Sequence, residues 1–122
     1  MDLETSDLGQ IRAYLAAHQG HGNCDLPKAL EKTVSTGCKI LPWHGRTVSM
    51  VCFKSGKPSN AGAIDLFLFV IDRAKVKNPP ASAPPEIAQT YPGLATASWS
   101  AGDKAYVLAG LGDTDFIRAC VQ

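Results

Sequence analysis

The chain has 122 residues, enough for one domain that buries about two-thirds of the surface its unfolded form exposes. Apolar residues make up 45% and charged residues 19%, and the formal net charge of +1 with scattered Lys and Arg excludes a basic stripe for nucleic acid. The longest apolar run, AIDLFLFVI at 63–71, is broken by Asp65 and falls short of the roughly 20 residues of a membrane span, and the acidic start MDLETSDLGQ is not a signal peptide.

Residues 6–18, SDLGQIRAYLAAH, place Leu8, Ile11 and Leu15 on one stripe at helical spacing, with Ser6 or Asp7 as N-cap and a stop near Gly20. A short helix is expected after Pro27, through KALEKTV. The pattern then changes to strands: CKILPW (38–43) and RTVSMVCFK (46–54) flank His44-Gly45, a strong hairpin signal. That loop sets Trp43 opposite Arg46, Leu41 opposite Val48 and Cys38 opposite Val51, so that Cys38 and Cys52 point to opposite faces.

AIDLFLFVIDR (63–73) carries apolar residues on both faces, Leu66, Leu68 and Val70 against Phe67, Phe69 and Ile71, and reads as a central strand covered twice. KNPPASAPPE (77–86) holds four prolines and reads as a stiff surface connection. LATASWS (94–100) and KAYVLAG (104–110) form a second hairpin around Gly102-Asp103, which pairs Trp99 with Tyr106. GDTDFIRACV ends the chain as a helix capped by Asp113, with Phe116, Ile117, Cys120 and Val121 on its apolar face. The expected class is α+β: a single domain over 1–122 with a mostly antiparallel five-stranded sheet, element order α-βββ-ββ-α, and the terminal helices packed on it. A partner or the proline-rich crossover is expected on the other face.

Few residues suggest chemistry. His18, His21 and Cys24, with Cys38 as fourth ligand, form the one metal-type constellation; their spacing is no standard zinc pattern, and helix capping and solvation explain the histidines as well. A Cys24–Cys38 cross-link would close a loop of about 15 residues and stabilise by roughly 3 kcal/mol, with free buried thiols as the alternative. Cys52 and Cys120 read as core. Asp65 interrupts an apolar strand and reads as a hydrogen-bonded structural acid. Trp43 and Trp99, beside turns, are candidate anchors for a protein partner. GxGxxG, GxxxxGK and HExxH are absent, and no catalytic residue or cofactor is expected.

The segments GCKILPWHGRTVSMVCF, LFLFVID and TASWSAGDKAYVLAGLGD, within residues 37–118, resemble in order the C-terminal extracytoplasmic domain of bacterial transmembrane anti-sigma factors. The resemblance implies a non-catalytic sensory or regulatory domain that binds protein. It would be held outside the cytoplasm by a tether to a segment that sequesters a sigma factor. This chain carries neither that segment nor a span, and its four cysteines depart from the family pattern; outside the cytoplasm they could oxidise. Two other readings stand beside it: a metal-binding or thiol-redox module on His18, His21, Cys24 and Cys38, and a cytoplasmic chaperone-like binding module. The latter rests on an element order similar to that of type III secretion chaperones, with a homodimer through one sheet face as its mark.

Overall fold

The computed structural model describes every residue except Met1, Ala61 and Ala83, and for Ser59 the backbone alone. The elements are β1 (Leu3–Glu4), α1 (Leu8–Ala17), α2 (Lys28–Glu31), β2 (Val34–Trp43), β3 (Arg46–Lys54), β4 (Leu66–Asp72), β5 (Glu86–Tyr91), β6 (Leu94–Ala101), β7 (Lys104–Leu111) and α3 (Thr114–Cys120). All seven strands join one sheet in the order β1-β2-β3-β4-β7-β6-β5, each neighbouring pair antiparallel. The five-stranded α-βββ-ββ-α sheet expected from the sequence is thereby corrected to seven strands. Both additions are edge strands: β1 spans two residues, too few for a period, and β5 is exposed along its length except for half-buried Ile87, so no alternation marks it. What makes β5 a strand is its ladder with β6, from Glu86↔Ser98 to Tyr91↔Leu94, with a bulge between Gln89 and Tyr91.

The hairpin registers follow from turn chemistry. His44 (φ 50°) and Gly45 (φ 74°) both take left-handed backbone, as a two-residue hairpin loop with right-handed twist requires. They lock Trp43 opposite Arg46, Leu41 opposite Val48 and Cys38 opposite Val51. The second hairpin pairs Trp99 with Tyr106 as expected, and their rings stack with centroids 5.2 Å apart. At the opposite end of β2 a bulge falls between Ser35 and Gly37, where a Cβ on Gly37 would overlap the Leu3 carbonyl; only glycine lets β1 lie against β2 there.

The helices sit where capping and apolar spacing place them. Asp7 caps α1, its Oδ1 accepting from Gly9 N at 2.9 Å, and Asp113 caps α3, its Oδ1 accepting from Phe116 N at 2.9 Å. The second helix is shorter than expected, because Val34 already belongs to β2. Ile11 and Leu15 from α1, Leu30 from α2 and Ile117 from α3 join one core with the inward side chains of the sheet. A row of inward residues, Cys38, Val51, Leu68, Leu108, Ala97 and Ile87, crosses six strands under these helices. β4 is central, as expected, but it is not covered twice: Leu66, Leu68 and Val70 are buried, whereas Phe67, Phe69 and Ile71 are only half-buried.

Candidate functional site

The irregular segment after α1 is fixed by polar contacts. His18 ends the helix, its ring stacked on Tyr14 at 4.0 Å with Nδ1 2.9 Å from the Tyr14 carbonyl. Arg12 on α1 donates to the Cys24 carbonyl at 2.6 Å and to that of Gly22 at 3.4 Å, and the Asp25 N–H donates to the Tyr106 hydroxyl at 2.8 Å. These contacts satisfy backbone groups that a loop pressed against a core would otherwise leave dry.

His21, buried, lies between two strands. Its backbone N–H donates to Ser49 Oγ at 2.8 Å, its Nδ1 is 2.7 Å from the same oxygen, and its Nε2 is 3.2 Å from Asp72 Oδ1. Serine, histidine and carboxylate in spatial succession invite comparison with a hydrolytic triad, but the geometry differs in two ways. The serine meets Nδ1 and the carboxylate Nε2, the reverse of the triad arrangement, and Ser49 is 0% exposed while Asp72 is 55% exposed. Access is thus at the wrong end for nucleophilic attack. One tautomer fits every contact: Nε2–H donates to Asp72, and the Ser49 hydroxyl donates to Nδ1 while accepting the His21 N–H. The trio acts as a strut from the loop to β3 and β4.

The candidate metal donors do not converge. His18 serves the helix end, His21 the strut, and Cys24 and Cys38 are buried in the core; among the described residues no group of three or more His, Cys, Asp or Glu is placed to hold an ion. All four cysteines are free thiols, so the Cys24–Cys38 cross-link is not formed. Burial, with Asp2 and Cys52 adding negative charge nearby, pushes the Cys38 thiol up to about 11. Burial raises Cys24, Cys52 and Cys120 as well. Raised thiols are poor nucleophiles and poor ligands at neutral pH.

Asp65, fully buried, accepts from Ser55 N at 2.8 Å, from the Ser55 hydroxyl and from Asn60 Nδ2 at 3.2 Å, while its carbonyl accepts from Leu111 N at 2.9 Å. It knots the loop before β4 to β3 and β7. At the other end of β4 the buried Lys104 donates to Asp103 at 2.9 Å, a bond that raises the ammonium and lowers the carboxyl.

The two tryptophans fall on opposite faces. Trp99 is 7% exposed in the helix-covered core, so its ring is not presented to a partner. Trp43 is 45% exposed beside His44, with the Arg46 guanidinium 5.9 Å from its ring centroid. It borders a groove of about 410 Å³ on the open sheet face. The floor is Leu41, Val48, Phe69, Ile71, Ala105 and Val107; Pro42 and Trp43 close one side, Val76 and Pro80 of the crossover the other. Every lining residue is apolar. The sequence signal for this surface is the apolar outer face of β4; among the described residues no helix covers it.

Against protein-family models, curated proteins and solved structures, the chain finds no match. Among the described residues no helix is long and apolar enough to cross a membrane.

Proposed function

We propose that this chain is a non-catalytic regulatory domain that works by binding. Its place would be the extracytoplasmic face of a bacterial membrane, tethered as the sensory domain of a transmembrane anti-sigma factor and coupled to a protein partner. The observation that carries the reading is the pairing of an all-apolar groove on the open sheet face with polar groups engaged in structural contacts: His21, Ser49 and Asp72 in the strut, Asp65 in its knot. An apolar recess bordered by an exposed tryptophan is a recognition surface rather than a reaction vessel, which needs groups that hold or move charge. The resemblance of segments 37–118 to the anti-sigma domains supplies the regulatory part. The chaperone-like alternative rested on an order of two strands after the crossover, and three are found there, so that likeness loses its basis.

In-frame deletion of residues 1–122 from the chromosomal gene tests the proposal. Transcript profiling is expected to show one promoter class, sharing a single sigma-factor recognition sequence, change together; a transcript profile without such a class would overturn it.

A further inference from the structure

The groove is apolar inside, and the chain segments that border it are cationic. The two segments that border it, residues 41–48 and 73–80, contain Arg46, Arg73, Lys75 and Lys77 and no Asp or Glu, although the whole chain has a net charge of only +1. All four are exposed, and Lys75 and Lys77 flank the lining residue Val76. Of the acids near these segments, Asp72 reaches His21 on the helix-covered face and Asp103 is bonded to Lys104, while Glu86 stands on the open face two strands beyond Val107.

From this charge arrangement we infer that the groove binds a single-chain anionic amphiphile, its hydrocarbon tail along the floor and its carboxylate among the rim cations. Other occupants fit less well. An extended peptide would press its amides against a floor with no hydrogen-bonding side chain, leaving polar groups desolvated and unpaired, which a methylene chain does not. A second copy docked face to face would bring two cationic rims together. A volume of about 410 Å³ lies within the range of small-ligand sites. The inference deepens the sensory role proposed above and rests on it, by naming the class of compound sensed.

Titration of the intact protein with tetradecanoate below its micelle concentration, followed by tryptophan fluorescence, is the test. Saturable binding is expected, about tenfold tighter than for tetradecyltrimethylammonium and weakened by salt. The response should disappear in Trp43→Phe, because Trp99 is inside the core. Reversal of the exposed rim (Arg46→Glu, Lys75→Glu, Lys77→Glu) should abolish the preference for the carboxylate, and Val107→Glu should block binding outright. Near-ultraviolet dichroism of the Trp99–Tyr106 stack certifies that each variant is folded. Equal affinity for both head groups, a concentration-dependent dimer with no tetradecanoate binding, or adsorption to phosphatidylglycerol vesicles alone would each overturn the inference. A regulon that responds to deletion without amphiphile binding sinks this inference only; binding without a regulon sinks the regulatory reading only.

Discussion

Two neighbouring rows of side chains cross the same six strands and meet different fates. Cys38, Val51, Leu68, Leu108, Ala97 and Ile87 run under the helices, whereas one residue along, Lys39, Met50, Phe69, Val107, Ser98 and Glu86 run over the open face. The middle of the second row is as apolar as the first, yet Val107 is 39% exposed while Leu108 is 0% exposed. Hydrophobicity alone therefore does not decide which face closes. The helices do: Ile11, Leu15, Leu30 and Ile117 supply their apolar contacts, and the His21 strut, the Arg12 contacts and the Asp25–Tyr106 bond pin α1 and the loop after it on that side of the sheet. Among the described residues the open face is covered only by the crossover at Val76 and Pro80, held by Ser100, whose hydroxyl donates to the Pro80 carbonyl at 2.6 Å.

That contrast can be broken or sharpened by substitution. Leu108→Ala should destabilise by about 2–5 kcal/mol in urea unfolding, the cost of a cavity in a packed core. Asp65→Ala, which strips acceptors from Ser55 and Asn60 in a buried site, should cost about 2–3 kcal/mol by the same measurement, and Asp65→Asn less, since it keeps one acceptor. Ser49→Ala should cost about 1–3 kcal/mol by leaving the His21 N–H and ring nitrogen without their partner.

The thiols give a pH-dependent effect of smaller size. Cys38 is held protonated up to about 11 when folded, against an ordinary value of 9.0. Because the folded value is the raised one, its contribution is intact below pH 9 and is lost as pH rises from 9 to 11. Cys38→Ala should flatten that slope in stability measurements, and the native protein should react slowly with a thiol reagent at pH 8 while the unfolded protein yields four thiols. Smallest of all is Val107→Thr on the open row, which should change stability by less than about 1 kcal/mol. A large loss there would mean that the open face is as tightly packed as the covered one.

Much of the sheet was legible because its turns are chemical. His44-Gly45 fixed the register from Trp43↔Arg46 to Cys38↔Val51, and Gly102-Asp103 fixed Trp99↔Tyr106, each from side-chain alternation and loop length. The caps at Asp7 and Asp113 were legible for the same local reason. Both edge strands were hidden, β1 by its length and β5 by polar exposure after a proline run. The strut was hidden by distance: His21 is 28 residues from Ser49 and 51 from Asp72, and no local pattern joins them. One hint was present, since Ser49 shares its face of β3 with Val51 and Phe53, and a polar side chain among inward apolar ones needs a partner. His18, His21, Cys24 and Cys38 looked like a ligand set because they are close in sequence, but the fold sends each to a different neighbour.

The outer strands carry a consequence for behaviour at high concentration. An antiparallel sheet offers its free flanks as templates for further copies; here one flank is covered by the two-residue β1, with Asp2 accepting from Ile40 N and Pro42 lacking a donor beyond it, and the other is entered through Pro84-Pro85 and Glu86 and distorted by the Gln89–Tyr91 bulge. Growth into ribbons by flank-to-flank stacking is therefore poorly supported on both sides, and the protein can carry a sticky surface without polymerising through its backbone.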